Sequence, residues 1–187
     1  MSTTTAPTTL TGSYELDPSH SRIGFVARHA MVTKVRGSFN EVTGSGYFDA
    51  ENPANSRLQL TIQATSIDTR NADRDNHLRG NDFLDMENHP EITFVSTGVA
   101  PSGDDRFRVT GDLTIKGVTN PVTFDLDYTG TAVDPFQNQR VGFEGQATIN
   151  RKDWGVTWNA ALETGGVLVG EKVTLEFEVS AIKSAAA

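Results

Sequence analysis

The chain has 187 residues, no cysteine, and 24 acidic against 16 basic side chains, for a net charge of −8. Absence of cysteine excludes disulfides, thiolate catalysis and cysteine-based metal sites, and the acidic balance argues against nucleic acid, because phosphate binding needs clustered Lys and Arg. No window approaches the roughly 20 apolar residues of a membrane helix, and the length suits a single all-β domain.

Residues 1–12 are rich in Thr and nearly without apolar side chains. They predict a disordered leader. The basic and apolar regions of a secretory signal are both missing there, so a cytoplasmic location is expected. Tyr14 to Asp17 is a first short strand, and Pro18-Ser19 a turn. His20 to His29 is the second strand, with Ile23, Phe25, Ala27 and His29 inward. Met31 to Gly37 is expected as a connection carrying Lys34 and Arg36, and Ser38 to Ala50 as strand, where Gly44 and Gly46 allow a bulge or bend. Asn52 to Asn55 is a turn. From Arg57 to Ser66 the alternation is clean, with Leu58, Leu60, Ile62 and Ala64 on one face.

The stretch from Ile67 to Met86 breaks this alternation. It is dense in charge and ends in Phe83, Leu84 and Met86. Asn71 can cap a helix over Ala72 to Arg79 with Gly80 at its C′ position, and Asn81 a second short turn carrying Phe83 and Met86, stopped by Pro90. A helical insert in an all-β chain closes something, and the expectation is the mouth or side of a barrel.

Strands resume over Glu91 to Val99, with Ile92 and Phe94 inward, and turn at Ser102 to Asp105. The inward sets that follow are Phe107, Val109, Gly111, Leu113 and Ile115, then, after a turn over Lys116 to Pro121, Val122, Phe124, Leu126 and Tyr128. Val141, Phe143, Gly145, Ala147 and Ile149 come next, then a less regular, glycine-rich segment from Trp154 to Val169, then Val173, Leu175, Phe177, Val179 and Ala181. About eight strands with one polar face imply an antiparallel sheet. Closure into an up-and-down barrel removes its edges. The fold class is therefore all-β: a closed antiparallel eight-stranded β-barrel, one domain over residues 13–183, with a short helical insert around residues 71–86 and a tail at 184–187.

Ala27, Ala64, Gly111, Gly145 and Ala147 lie mid-strand on inward faces, where a dry core would favour larger side chains. Small inward residues can leave room for a ligand or can fit the barrel's taper, and the pattern leaves both open. A cavity there would be apolar and without buried charge. Its candidate ligand-binding residues are Ile23, Phe25 and Ala27; Leu60 and Ile62; Phe94; Gly111, Leu113 and Ile115; Phe124; Phe143 and Ala147; and Phe177. Phe83 and Met86 of the insert and Trp158 join them as a cover.

Asp73 and His77 stand four apart on one helical face, but a first-row metal needs two more ligands than this pair offers. An ion-pair network of Asp73, Asp75, Arg74 and Arg79 that pins the insert is the favoured reading. No metal, cofactor or catalytic residue is assigned, since nucleophile elbow, HExxH and Walker loop are all missing. The glycines of Gly165 to Gly170 precede no helix that could hold a phosphate.

Several segments together carry a resemblance. They are Asp17-Pro18-Ser19-His20-Ser21, Thr69-Arg70-Asn71, Arg74 to Arg79, Asp82-Phe83, Pro90 to Phe94, Gly111 to Thr119, Ile149 to Gly155 and Val169 to Val173. In this order, over residues 13–183, they resemble the YceI-like family. Gly80 and Leu84 depart from its pattern within the insert. The resemblance implies a lipocalin-like barrel that holds a polyisoprenoid, prenylquinone or prenyl phosphate for sequestration, storage or transfer, without catalysis. Two rivals stand beside it: an enzyme acting on a lipid-like substrate with His77 or His29 as acid or base, and a packed barrel working through its surface. A second copy of the chain stays open as a partner.

Overall fold

Eleven strands and one α-helix succeed one another in the computed structural model, which describes residues 10–163 and 165–184. The strands are β1 (Gly12–Leu16), β2 (Arg22–His29), β3 (Thr33–Phe39), β4 (Val42–Phe48), β5 (Arg57–Gln63), β6 (Ile67–Asp68), β7 (Glu91–Gly103), β8 (Arg106–Ile115), β9 (Val118–Val133), β10 (Gln139–Asn150) and β11 (Val169–Lys183). The helix α1 spans Ala72–Arg79. The leader expected over residues 1–12 falls outside the described residues up to residue 9, as does the tail beyond Ser184. Leu10, at the leader's end, is fully buried, and its carbonyl accepts from the Tyr14 hydroxyl at 2.8 Å.

The ring runs β1–β4–β5–β7–β8–β9–β10–β11 and back to β1, all antiparallel, an eight-stranded closed barrel. β11 makes the closure. One edge pairs with β10 from Lys172 to Ile182. The other edge pairs in series with β2, then with β1, where Leu16, Glu15 and Tyr14 face Ala181, Ile182 and Lys183. β2, β3 and β6 thus form a branch off β11 below the closed ring. Among the described residues no helix is long and apolar enough to cross a membrane.

Three expectations change. Met31 to Gly37 is not a connection: Thr33–Phe39 is β3, paired residue for residue with β2. The turn there is only Ala30-Met31-Val32, the first two at positive φ. β4 pairs with β1 and β5 without a register shift, so Gly44 and Gly46 mark no bulge. The turn after β8 is the pair Lys116-Gly117, at φ of 52° and 75°, as two-residue hairpins of this twist demand. Pro121 lies inside β9 instead, on the stretch that β10 does not reach, where a missing N–H costs no ladder bond.

The corner between β1 and β2 is held by an ionic cluster. Arg140 donates from Nη1 to Asp17 Oδ2 (2.7 Å) and from Nε to Asp134 Oδ2 (2.8 Å). The Arg140 hydrogen bond, helped by Ser19 and His20, holds the Asp17 carboxyl well below the usual carboxylate range. Burial works against Asp134, but the Asn138 and Phe136 N–H groups and Arg140 bring it down to about 2. Both folded-state values are depressed, so this contribution is full above the ordinary carboxylate range and fades as pH falls through about 2. Arg140→Gln should lower Tm by several degrees at neutral pH, and the gap to the unaltered protein should narrow on acidification below roughly pH 4. Circular dichroism melts across that range check it, and a gap unchanged in strong acid would remove the cluster from the account.

Candidate functional site: an apolar cavity under a helical insert

The barrel encloses a cavity of about 330 Å³. Strand alternation builds its wall, since every second side chain of a barrel strand points inward. From the candidate set, β2 supplies Ile23, Phe25 and Ala27, β5 Leu60 and Ile62, and β7 Phe94. Leu113 and Ile115 come from β8, Phe124 from β9, Phe143 and Ala147 from β10, and Phe177 from β11. Phe83 reaches in from the insert, joined by Leu78 and Leu84. Rings run along the wall in tilted and edge-on contacts: Phe94 to Phe124 at 5.5 Å, Phe124 to Phe177 at 5.1 Å and Phe48 to Phe107 at 5.4 Å between centroids.

Gly111, Met86 and Trp158 do not line the cavity. At Gly111 the place of a side chain is taken: an added Cβ would run into the Phe94 ring and lie 2.6 Å from the Val95 carbonyl oxygen. Gly145 is filled in the same way by Leu126 and the Asp125 carbonyl. These glycines admit neighbours rather than empty space. Met86 packs on the core from outside the cavity, beyond Asp85, whose φ of 48° breaks the run of turns that carries Phe83. Trp158 lies over the insert, with its ring 4.7 Å from His77 and 5.3 Å from Phe83. His77 completes the trio at 5.0 Å from Phe83 and meets Asp82 Oδ2 at 2.9 Å.

Asn71 caps α1, its side chain accepting from the Arg74 N–H at 2.9 Å. Gly80 ends it in an extended conformation, not the left-handed one expected of a C′ glycine. The expected ion-pair network is instead one of hydrogen bonds. Buried Asp75 accepts from the Thr69 N–H (2.9 Å) and hydroxyl (2.5 Å). Arg74 donates to the Thr69 carbonyl, and Arg79 to those of Thr65 and Ile67. β6 is two residues long, so the carbonyls around it lack strand partners, and the arginines reach them. Among the described residues no cluster of three or more His, Asp or Glu is placed to hold a metal.

A buried charge does line the cavity, against expectation. Arg151 is 6% exposed. Its guanidinium donates to four backbone carbonyls: Gly170, Val156, Trp158 and Val169, at 2.7–3.1 Å. Burial pushes its pKa down, and Glu171 opposes that. It staples the segment after β10 to the start of β11. Nearby, Trp154 donates from Nε1 to the Leu113 carbonyl at 2.8 Å, and Lys116 reaches the Asn81 and Gly155 carbonyls. The insert and this segment are thereby anchored to the barrel rim.

Phe39 and Phe48 belong to the wall but escaped the sequence reading. The signal was present. Val35, Gly37 and Phe39 alternate with Lys34, Arg36 and Ser38, and taking that run as a connection lost the face it continues. Gly111→Ala should cost about 1–3 kcal/mol, because overpacking a filled position strains its neighbours. Urea denaturation measures it; an unchanged midpoint would mean that the glycine leaves free space after all.

The model of the YceI-like domain matches residues 14–181. The UPF0312 protein SERP2314 of Staphylococcus epidermidis is 41% identical over 169 residues, covering 90% of this chain and 95% of its own. Among solved structures, BcnA of Burkholderia cenocepacia superposes with a TM-score of 0.78 at 27% identity, over 88% of this chain and 98% of that one. A domain from Saccharophagus degradans, described as polyisoprenoid binding, shares the fold at a TM-score of 0.66 and 16% identity, over 91% of this chain and 98% of its own. With the family model spanning nearly the whole barrel and a relative this similar along its length, the chain belongs to the YceI-like domain family.

Proposed function

We propose that the barrel takes up one long hydrocarbon chain of isoprenoid type, such as a polyisoprenoid or the tail of a prenylated quinone or prenyl phosphate, for sequestration, storage or transfer. The observation that carries this reading is the cavity, walled by aliphatic and aromatic side chains and covered at one end by the insert. Within long hydrocarbons, the description of the similarly folded Saccharophagus degradans domain as polyisoprenoid binding supports the isoprenoid class. Each buried CH₂ contributes about 0.8 kcal/mol, so one isoprene unit gives roughly 3 kcal/mol gross. Association costs about 4–15 kcal/mol. Micromolar affinity then needs several units.

Placement of the polar groups favours binding over catalysis. His77 and Asp82 pair on the half-exposed outer side of the insert, and neither lines the cavity. His29 is exposed at the end of β2. Arg151 spends its donors on backbone carbonyls, which leaves little to recognise a sugar or a nucleotide.

Leu113→Arg puts an unpaired charge into the hydrocarbon wall and should weaken binding of a fluorescent prenyl probe by roughly 100-fold. Circular dichroism must show an intact fold; a folded variant of unchanged affinity would place the ligand elsewhere. Trp158→Ala removes the two ring contacts that hold Phe83 and His77 down from outside. It should raise the probe's dissociation rate by roughly tenfold, with a smaller effect on global stability. Stopped-flow displacement gives the rate. Gly166→Pro, in the glycine-rich loop, is the control: a rate changed only by that variant would move the gate to the loop.

A further inference from the structure

We propose that the β2–β3 hairpin docks the barrel on an anionic lipid bilayer. The inference rests on the reading that the cavity takes a prenyl lipid, because such a chain must be collected from a membrane.

The charge is unevenly spread. Between Asp17 and Glu41 the sequence holds Arg22, Arg28, Lys34 and Arg36 and no acidic residue, in a chain of net charge −8. Arg22 and Arg36 reach Glu176 of β11, at 3.3 and 3.7 Å. Arg28 and Lys34 are different. They are directly opposed across the hairpin, and both are exposed. Like charges facing each other in a strand pair destabilise it. An anionic partner would turn that repulsion into attraction.

The tip between them is apolar and conformationally costly. Ala30 and Met31 hold φ of 52° and 64°, a turn that ordinarily takes Asn-Gly. The result is that Met31 is 60% and Val32 77% exposed. Exposed Val167 lies on the adjoining loop, where the Leu168 carbonyl accepts from the Ala30 N–H at 2.7 Å, and Glu163 of that loop adds one opposing charge. Ala27 lines the cavity, and the tip lies roughly 7–10 Å further along the strand. An apolar tip collared by cations fits the boundary between acidic head groups and acyl chains.

A second explanation exists for part of this. Among the described residues β3 pairs with β6 only at Ser38 and Phe39 and the rest of its outer edge has no strand partner, and charged residues on an edge deter association. That accounts for Lys34 and Arg36. It does not account for the exposed Met31 and Val32 or for the like-charged pair.

Lys34→Glu separates the two. It replaces repulsion across the hairpin by attraction, so the melting temperature should hold or rise. Adhesion should fall about fivefold per basic charge lost, hence about 25-fold for the reversal. Sedimentation with sucrose-loaded vesicles of phosphatidylcholine, with and without phosphatidylglycerol, reads this out. The unaltered protein should bind only the anionic vesicles and release as salt is raised. The double variant Met31→Ser/Val32→Ser should lose adhesion while keeping its affinity for a soluble prenyl probe. Equal binding to neutral vesicles, no binding at all, or a Lys34→Glu protein that adheres as before would overturn the proposal. So would light scattering that shows a dimer dissolved by Lys34→Glu, since the hairpin would then meet a second copy. Vesicle binding without probe binding would support docking and sink the ligand reading.

Discussion

Closure of the strand ring depends on three residue pairs. Tyr14, Glu15 and Leu16 must meet Lys183, Ile182 and Ala181 across nearly the whole length of the chain. Without that pairing β1 and the last residues of β11 would be left open while β2 held the rest of that edge, and an open twisted sheet encloses no cavity. β11 can serve both β1 and β2 on one edge because the chain bends between them at the 3₁₀ turn Pro18–His20. Asp17 fixes that bend twice: it caps the turn through the Ser19 N–H at 3.0 Å, and it ties the corner to β10 through Arg140. Local turn chemistry and long-range closure therefore converge on one carboxylate.

The same arrangement explains the insert. Once β2 and β3 leave the ring as a branch, β6 supplies only two residues of pairing to β3, and the wall at that end lacks strands. The segment after β6 covers the opening with Leu78, Phe83 and Leu84, while its arginines satisfy the carbonyls that a longer strand would have used. Arg74 and Arg79, two of the charges in this stretch, are thus spent on backbone carbonyls rather than on the acidic residues beside them.

Alternation made most of the barrel legible. Wherever a strand has one wet and one dry face, as in β5, β8 and β11, the inward set could be named in advance. Failures cluster where a short-range signal competes with a long-range one. Lys34 and Arg36 made β3 look like a connection, although its partner β2 lies just across a three-residue turn. Pro121 looked like part of a turn, because the edge exposure that tolerates it arises only from how far β10 extends. Gly111 looked like a gap, yet the Phe94 ring that fills it comes from a neighbouring strand, and no pattern within β8 reveals it. Arg151 escaped notice because its partners are backbone carbonyls, which have no sequence signature.

A void is tolerable here for a reason rooted in the fold. A helix bundle is held by side-chain packing, so emptying its centre removes what holds the helices together. A closed barrel is held by its hydrogen-bond ladders, which run around the cavity and do not cross it. The wall can then keep its shape whether or not the interior is filled, provided that its inward groups are apolar and leave no polar atom unmet. Tyr14 and Arg151, two buried polar side chains on this wall, satisfy that condition by turning donors to backbone carbonyls. The insert is exempt from the ladder. It rests on the Phe83, His77 and Trp158 contacts and on a few arginine hydrogen bonds, each far weaker than a row of strand pairs. Displacing the insert therefore breaks fewer and weaker contacts than parting any two strands of the ring.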